Sequence, residues 1–217
     1  MQVETNTPAD SRAQLSGVER FAGLCAMLAG ISSFLYSISF VFLKNDLLIA
    51  LFMLLGGLLA TVALTALYSR VQTVEATLAR LAWILGIVGA LGAAIHGAYD
   101  LANAINPPAS NYALAIASLP SSIDPRGLLT FGVTGLGLLG FAWLMGRSAL
   151  FSSSLSYLTY LLGILLVVLF INRLVILDAE NPLIVVVGSL SGFIINPLWY
   201  LWLGATLSQS NKKTTGE

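Results

Sequence analysis

The chain has 217 residues, of which 57% are hydrophobic and only 9% charged, and its ten basic and ten acidic side chains cancel. A soluble domain carries roughly 25% charge, so this composition excludes an ordinary water-facing globule, and the lack of a basic excess argues against nucleic acid as a partner. A mean hydropathy of +0.88 makes lipid the main solvent.

Residues 1–17 are polar and mixed in charge. They lack the basic start, short apolar core and small-residue cleavage site of a signal peptide, so they are expected to form a polar arm ahead of an uncleaved first helix. A hydrocarbon core about 30 Å thick needs about 20 residues at 1.5 Å rise each. Apolar runs of that length lie at 21–43, 47–68, 81–105, 127–146, 155–177 and 183–207. The expected class is therefore all-α, a polytopic transmembrane bundle of six helices over residues 18–208, with a tail at 209–217 and no room for a second, soluble domain. The one cysteine, Cys25, falls early in the first run; alone it makes no disulfide, and it reads as a small buried hydrophobe.

The third run carries Ala82, Gly86, Ala90, Ala94 and Ala98 at four-residue spacing, with Gly89, Ala93 and Gly97 as a second small-residue ridge. Such ridges let helices approach closely in lipid. Towards its end, His96, Asp100 and Asn103 fall at i, i+4 and i+7, on one stripe at 100° per residue. His96 is the only histidine, and imidazole beside a carboxylate is what a proton-responsive site would use. The same pattern also fits a histidine satisfied within a helix contact. The connection at 106–126 holds an apolar stretch, 112–119, between Pro107-Pro108 and Pro120, read as a short interfacial helix.

The fifth run ends near Arg173, which with Asp100 is one of two charges inside the runs. The two are opposite in sign and matched in depth, so an Asp100–Arg173 ion pair is expected, read either as a clamp between helices or as the wall of a functional cavity. Arg173 reaching alone to the interface is the third reading. The turn Asp178-Ala-Glu180-Asn-Pro182 offers two carboxylates to solvent or to a cation. In the sixth run Gly188, Gly192, Asn196 and Tyr200 make another ridge, and Pro197 removes a backbone hydrogen bond, so Asn196 and Pro197 are expected to mark a kink, as packing or as a gating hinge. An approximate internal match, Leu81-Ala-Trp-Ile-Leu-Gly-Ile with Leu158-Thr-Tyr-Leu-Leu-Gly-Ile, sets His96 opposite Arg173 at the same offset. It fits a two-helix repeat or chance similarity between apolar segments.

With even spans both termini share a side, and Arg12, Arg20, Arg70, Arg80, Arg147, Lys212 and Lys213 fall there, against Lys44, Arg126 and Arg173 opposite. The bias places both termini in the cytoplasm and residues 106–126 outside a cell membrane.

Several chemistries lack their residues. A retinal Schiff base needs a lysine within a span, bis-histidine haem needs two histidines, and a usual zinc set needs several His or Cys ligands. Gly188-Ser-Leu-Ser-Gly192 has leucine where a nucleophile elbow needs serine, and no phosphate loop is present. No catalytic residue, metal ligand or cofactor is assigned.

The segment Gly135-Leu-Gly-Leu-Leu-Gly-Phe-Ala-Trp-Leu-Met-Gly-Arg-Ser148, followed by Leu155-Ser-Tyr-Leu-Thr-Tyr-Leu-Leu-Gly-Ile164, resembles an uncharacterised bacterial family of six-span integral membrane proteins, most clearly over 127–170. The family's glycine-rich fourth helix ends in a short Arg-Ser turn before a Leu-Gly-rich fifth. The resemblance implies six spans in a bacterial cytoplasmic membrane and no particular activity. Two function classes follow from the residues. One is a small transporter-like or solute-sensing protein using His96, Asp100, Asn103 and Arg173 on the extracytoplasmic side. The other is a non-catalytic accessory subunit or scaffold, as a homo-oligomer or beside a membrane partner protein. An enzyme would need His96 to face a serine or a bound lipid.

Overall fold

Helix caps set the frame of this chain. In the computed structural model, which describes residues 8–107, 123–176 and 181–209 with side chains from residue 17 onward, an oxygen-bearing side chain starts each of the second to sixth membrane helices. Asn45 accepts from the Leu48 N–H at 3.0 Å, Glu75 from Leu78 at 2.6 Å, Ser152 from Leu155 at 3.3 Å and Asn181 from Leu183 at 3.1 Å. Asp124 does the same before the fourth helix, accepting from Leu129 at 2.7 Å and Thr130 at 3.0 Å. Each cap satisfies donors that the helix itself leaves free.

The six helices long and apolar enough to cross a membrane are Gly17–Leu43, Asp46–Val71, Ala76–Ile105, Leu128–Met145, Ser153–Val175 and Pro182–Ser208. No strand occurs among the described residues. The chain thus has the build of a multi-pass membrane protein, with spans close to the apolar runs. Two helices outrun those runs: the first starts at Pro8, inside the expected polar arm, and the third starts at Ala76, directly after its Glu75 cap. The expected interfacial helix at 112–119 and the Asp178–Glu180 turn lie outside the described residues.

Packing neighbours run in chain order, first to second and onward to the sixth, which returns to the first. The helices therefore close a ring. The small-residue ridges make its seams. A Cβ added at Gly57 would stand 2.6 Å from the Ala90 carbonyl oxygen, one at Gly137 2.7 Å from the Gly86 nitrogen, one at Gly135 2.8 Å from the Gly163 oxygen and one at Gly204 2.6 Å from the Gly23 oxygen. Backbones touch there, so the ridges serve contacts within the chain. Ala82, Gly86, Ala90 and Ala94 are buried as the four-residue pattern implies, whereas Ala98 is exposed.

The largest buried side chains are distributed unevenly along the ring. Its two ends are named here for Arg70 and Arg173. The largest fully buried side chains, among them Leu64, Leu67, Phe141, Leu144, Leu162, Trp199 and Leu203, all lie in the half nearer Arg70. In that half the Trp199 indole donates to Thr159 Oγ1 at 2.7 Å, joining the sixth helix to the fifth. Towards Arg173 the sixth helix buries none of its residues from Pro182 to Ser189.

The filled end is fastened by a charge. Arg70, with only 9% of its side chain exposed, meets Glu19 at 3.3 Å and donates to the carbonyls of Thr206 at 3.3 Å and Leu207 at 3.0 Å. One guanidinium thus ties the second helix to the first and caps the C-terminus of the sixth, where the helix dipole favours a cation. Arg70→Gln should lower unfolding stability in detergent by about 2–3 kcal/mol, because buried carbonyls lose a charged donor. Glu19→Gln, at the exposed side of the same cluster, should cost less than about 1 kcal/mol. Equal losses in a denaturation series would show that the carbonyl contacts contribute nothing.

Candidate functional site

Helical register sets three polar side chains on inward stripes of the Arg173 half. On the first helix Ala22, Ala29 and Tyr36 repeat every seven residues, and the two alanines are buried. On the third helix Ala79, Gly86, Ala93 and Asp100 repeat likewise, with Ala79 and Gly86 buried and Gly86 against Leu64 and Phe141. On the fifth, Thr159, which receives the Trp199 bond, is followed by Leu166 and Arg173 at the same spacing. Seven residues make nearly two turns, so each stripe that faces the filled core at one end runs into Tyr36, Asp100 or Arg173 at the other. These residues come from alternate helices of the ring.

Asp100 takes its partner from its own helix. Its Oδ2 lies 3.3 Å from His96 Nε2, with 41% of the Asp100 and 20% of the His96 side chain exposed. His96 continues the face of Gly89 and Gly92, which pack on Leu129 and Thr134 at the start of the fourth span. Asn103 follows one turn later, half-buried. The stripe predicted from spacing is thus one surface, directed between the inside of the ring and the fourth helix.

Arg173 is held elsewhere. Its guanidinium lies over the Phe131 ring, 5.3 Å from the centroid, and Nη1 would be 3.5 Å from a Cβ at Gly127. Arg126 and Gly127 have φ of 59° and 77°, a left-handed pair that turns the chain into the fourth helix and brings bare backbone against the arginine. Among the described residues no ion pair joins Asp100 to Arg173, contrary to the expectation from their depth and sign. Matched depth places two residues at one level but does not set how far each side chain reaches across the ring. Phe131 and Gly127 retain the guanidinium on the fourth helix's side, and His96 occupies one oxygen of the carboxylate.

Asn196 and Pro197 are placed away from this stripe. The Asn196 amide donates to Ser33 Oγ at 2.8 Å, linking the sixth helix to the first. The expected kink takes the form of a wide π turn, Leu190–Ile195, immediately before the proline. Two further π turns, Ser39–Leu43 and Leu128–Val133, also fall in the Arg173 half. Such turns are often found at functional sites.

Several contributors carried no clear sequence signal. Tyr36 in an apolar run reads equally as an interfacial aromatic. Asp124, 1% exposed, stands in a loop, and its capping role shows only once the helix start is known. Thr130 Oγ1 and Asn172 Nδ2 are buried without a hydrogen-bond partner, which adds two unmet polar groups near the mouth. Ser191 donates to the Val187 carbonyl at 2.7 Å, so it is engaged within its own helix and not poised by His96. Among the described residues no three His, Cys, Asp or Glu side chains converge as metal ligands.

No family model, curated protein or solved structure matches this chain. The site is therefore read from its own chemistry: a cation over an aromatic ring, a carboxylate with its histidine, and a phenol, on alternate helices towards the Arg173 end of a six-helix ring. In double-mutant cycles, His96→Gln with Asp100→Asn should show coupling of about 0.5–1 kcal/mol. Asp100→Asn with Arg173→Gln should be additive to within about 0.5 kcal/mol. Strong coupling in the second cycle would restore the direct ion pair.

Proposed function

We propose that this protein admits a small polar solute from its Arg173 end, as a transporter-like or solute-sensing membrane protein. The observation that carries the reading is the segregation of large buried apolar side chains and polar stripe residues to opposite halves of the ring. Large apolar side chains occupy the Arg70 half, while polar groups from the first, third and fifth helices face inward in the other. Charged side chains at membrane depth are costly unless paired or hydrated, and they commonly mark solute paths. Here one acid and one base sit at similar depth without neutralising each other, which suits a hydrated mouth better than a clamp.

The positive-residue bias supports a topology with both termini in the cytoplasm and the Arg173 end outside a bacterial cytoplasmic membrane. Membership of the six-span family that residues 127–170 resemble is part of the same proposal. The scaffold alternative rests on small-residue ridges and on the lack of convergent catalytic groups; the ridges supply seams within the ring.

Thiol labelling tests the reading. In a Cys25→Ala background, a membrane-impermeant maleimide added outside intact cells should modify Tyr36→Cys and His96→Cys, since the reagent needs water to reach and ionise the thiol. Leu64→Cys and Phe141→Cys, inside the same ring at its filled end, should stay unlabelled. Protection of Tyr36→Cys and His96→Cys, or equal labelling at all four positions, would contradict a water-filled mouth.

A further inference from the structure

We infer that the Arg173 end, where a guanidinium over Phe131 and a carboxylate held by His96 stand on alternate helices of one ring without pairing, binds a small zwitterion of the amino-acid or betaine class. The inference rests on the solute-binding reading and adds the charge pattern of the solute.

Three features lead to it. The first is that the cation is fixed and unspent. Arg173 lies over Phe131, 5.3 Å from the centroid, and makes no ion pair among the described residues. A cation–π contact at that distance does not use its N–H groups, which form a planar fork suited to a carboxylate. The second is that the anion is likewise fixed and half available. Asp100 meets His96 through Oδ2, no described side chain donates to its other oxygen, and its 41% exposure leaves it open to an ammonium. The third is that both charges continue stripes that are buried towards the Arg70 end, as Tyr36 does on the first helix.

Single-charge solutes fit this arrangement poorly. A plain carboxylate drawn to Arg173 would sit near Asp100 and be repelled by it; a plain amine at Asp100 would meet Arg173. A zwitterion places its own carboxylate on the guanidinium and its ammonium on Asp100, so each charge leaving water gains an opposite one. Tyr36 can donate to the ligand carboxylate or close over it. Thr130, whose buried hydroxyl lacks a partner, stands beside Phe131 on the same turn, which adds an unused hydrogen-bonding group next to the arginine's seat.

The test uses the full-length protein in lipid nanodiscs. The probes are the twenty common L-amino acids, glycine betaine and γ-aminobutyrate, with sodium propionate and propylammonium chloride as single-charge controls. Thermal shift finds the best probe and titration calorimetry gives its Kd. At least one zwitterion should bind, tenfold or more tightly than either control. Arg173→Gln and Asp100→Asn should each weaken it tenfold or more, and Arg173→Lys should retain part of the affinity. Should Arg173→Gln fail to fold, Arg173→Lys and Asp100→Asn carry the same comparison. Propionate binding as tightly as any zwitterion, unaffected by Asp100→Asn, would overturn the zwitterion and leave a solute site for anions. Binding by none of the probes would overturn the zwitterion too; labelling of Tyr36→Cys in that case would keep the open mouth, and its absence would remove both.

Discussion

Lipid gives helices no hydrophobic reason to associate, because the tails are as apolar as the side chains. A bundle in that solvent depends on close backbone approach and on hydrogen bonds between helices, and this chain depends on glycine and alanine above all. Gly57 against Ala90, Gly137 against Gly86, Gly135 against Gly163 and Gly204 against Gly23 form seams between ring neighbours. With the walls drawn together, large side chains can fill the inside only where the sequence supplies them. It supplies them from Leu64 to Val71, Phe141 to Met145 and Trp199 to Leu207, all towards one end.

That distribution explains why the polar residues lie where they do. A charge among Trp199, Phe141 and Leu203 would be dry and costly. Asp100 and Arg173 occur where the filling stops, each with local support: an imidazole for the carboxylate and an aromatic face for the guanidinium. The opposite end handles its charge differently. Arg70 is consumed by Glu19 and two helix-terminal carbonyls, so it closes the bundle. Arg70 completes its contacts within the protein, whereas Arg173 lies over Phe131 and makes no ion pair among the described residues.

The spans were legible because apolar length is a strong signal, and the small-residue ridges correctly marked close approach on the third helix. The stripe of His96, Asp100 and Asn103 was legible because helical spacing fixes which residues share a face. What spacing within a helix leaves open is azimuth between helices. Asp100 and Arg173 were placed at the same level and read as partners, but the Arg126-Gly127 turn, whose left-handed geometry shows only in three dimensions, brings Phe131 under the guanidinium. Tyr36 became visible as a site residue once Ala22 and Ala29 were seen to be buried on the same stripe. The irregularity before Pro197 is anticipated by the proline, and it takes the form of a wide π turn at Leu190–Ile195.

The central claim is that one ring of helices is closed by packing at its Arg70 end and hydrated at its Arg173 end. Amide hydrogen exchange in nanodiscs measures this along each helix, since backbone within a membrane exchanges only where water enters and hydrogen bonds open. The account predicts faster exchange in Leu128–Val133 and Leu190–Ile195, the π turns of the open half, than in Thr134–Met145 and Asn196–Ser208, which continue the same two helices into the filled half. Uniform protection along both helices, or faster exchange towards Arg70, would contradict it.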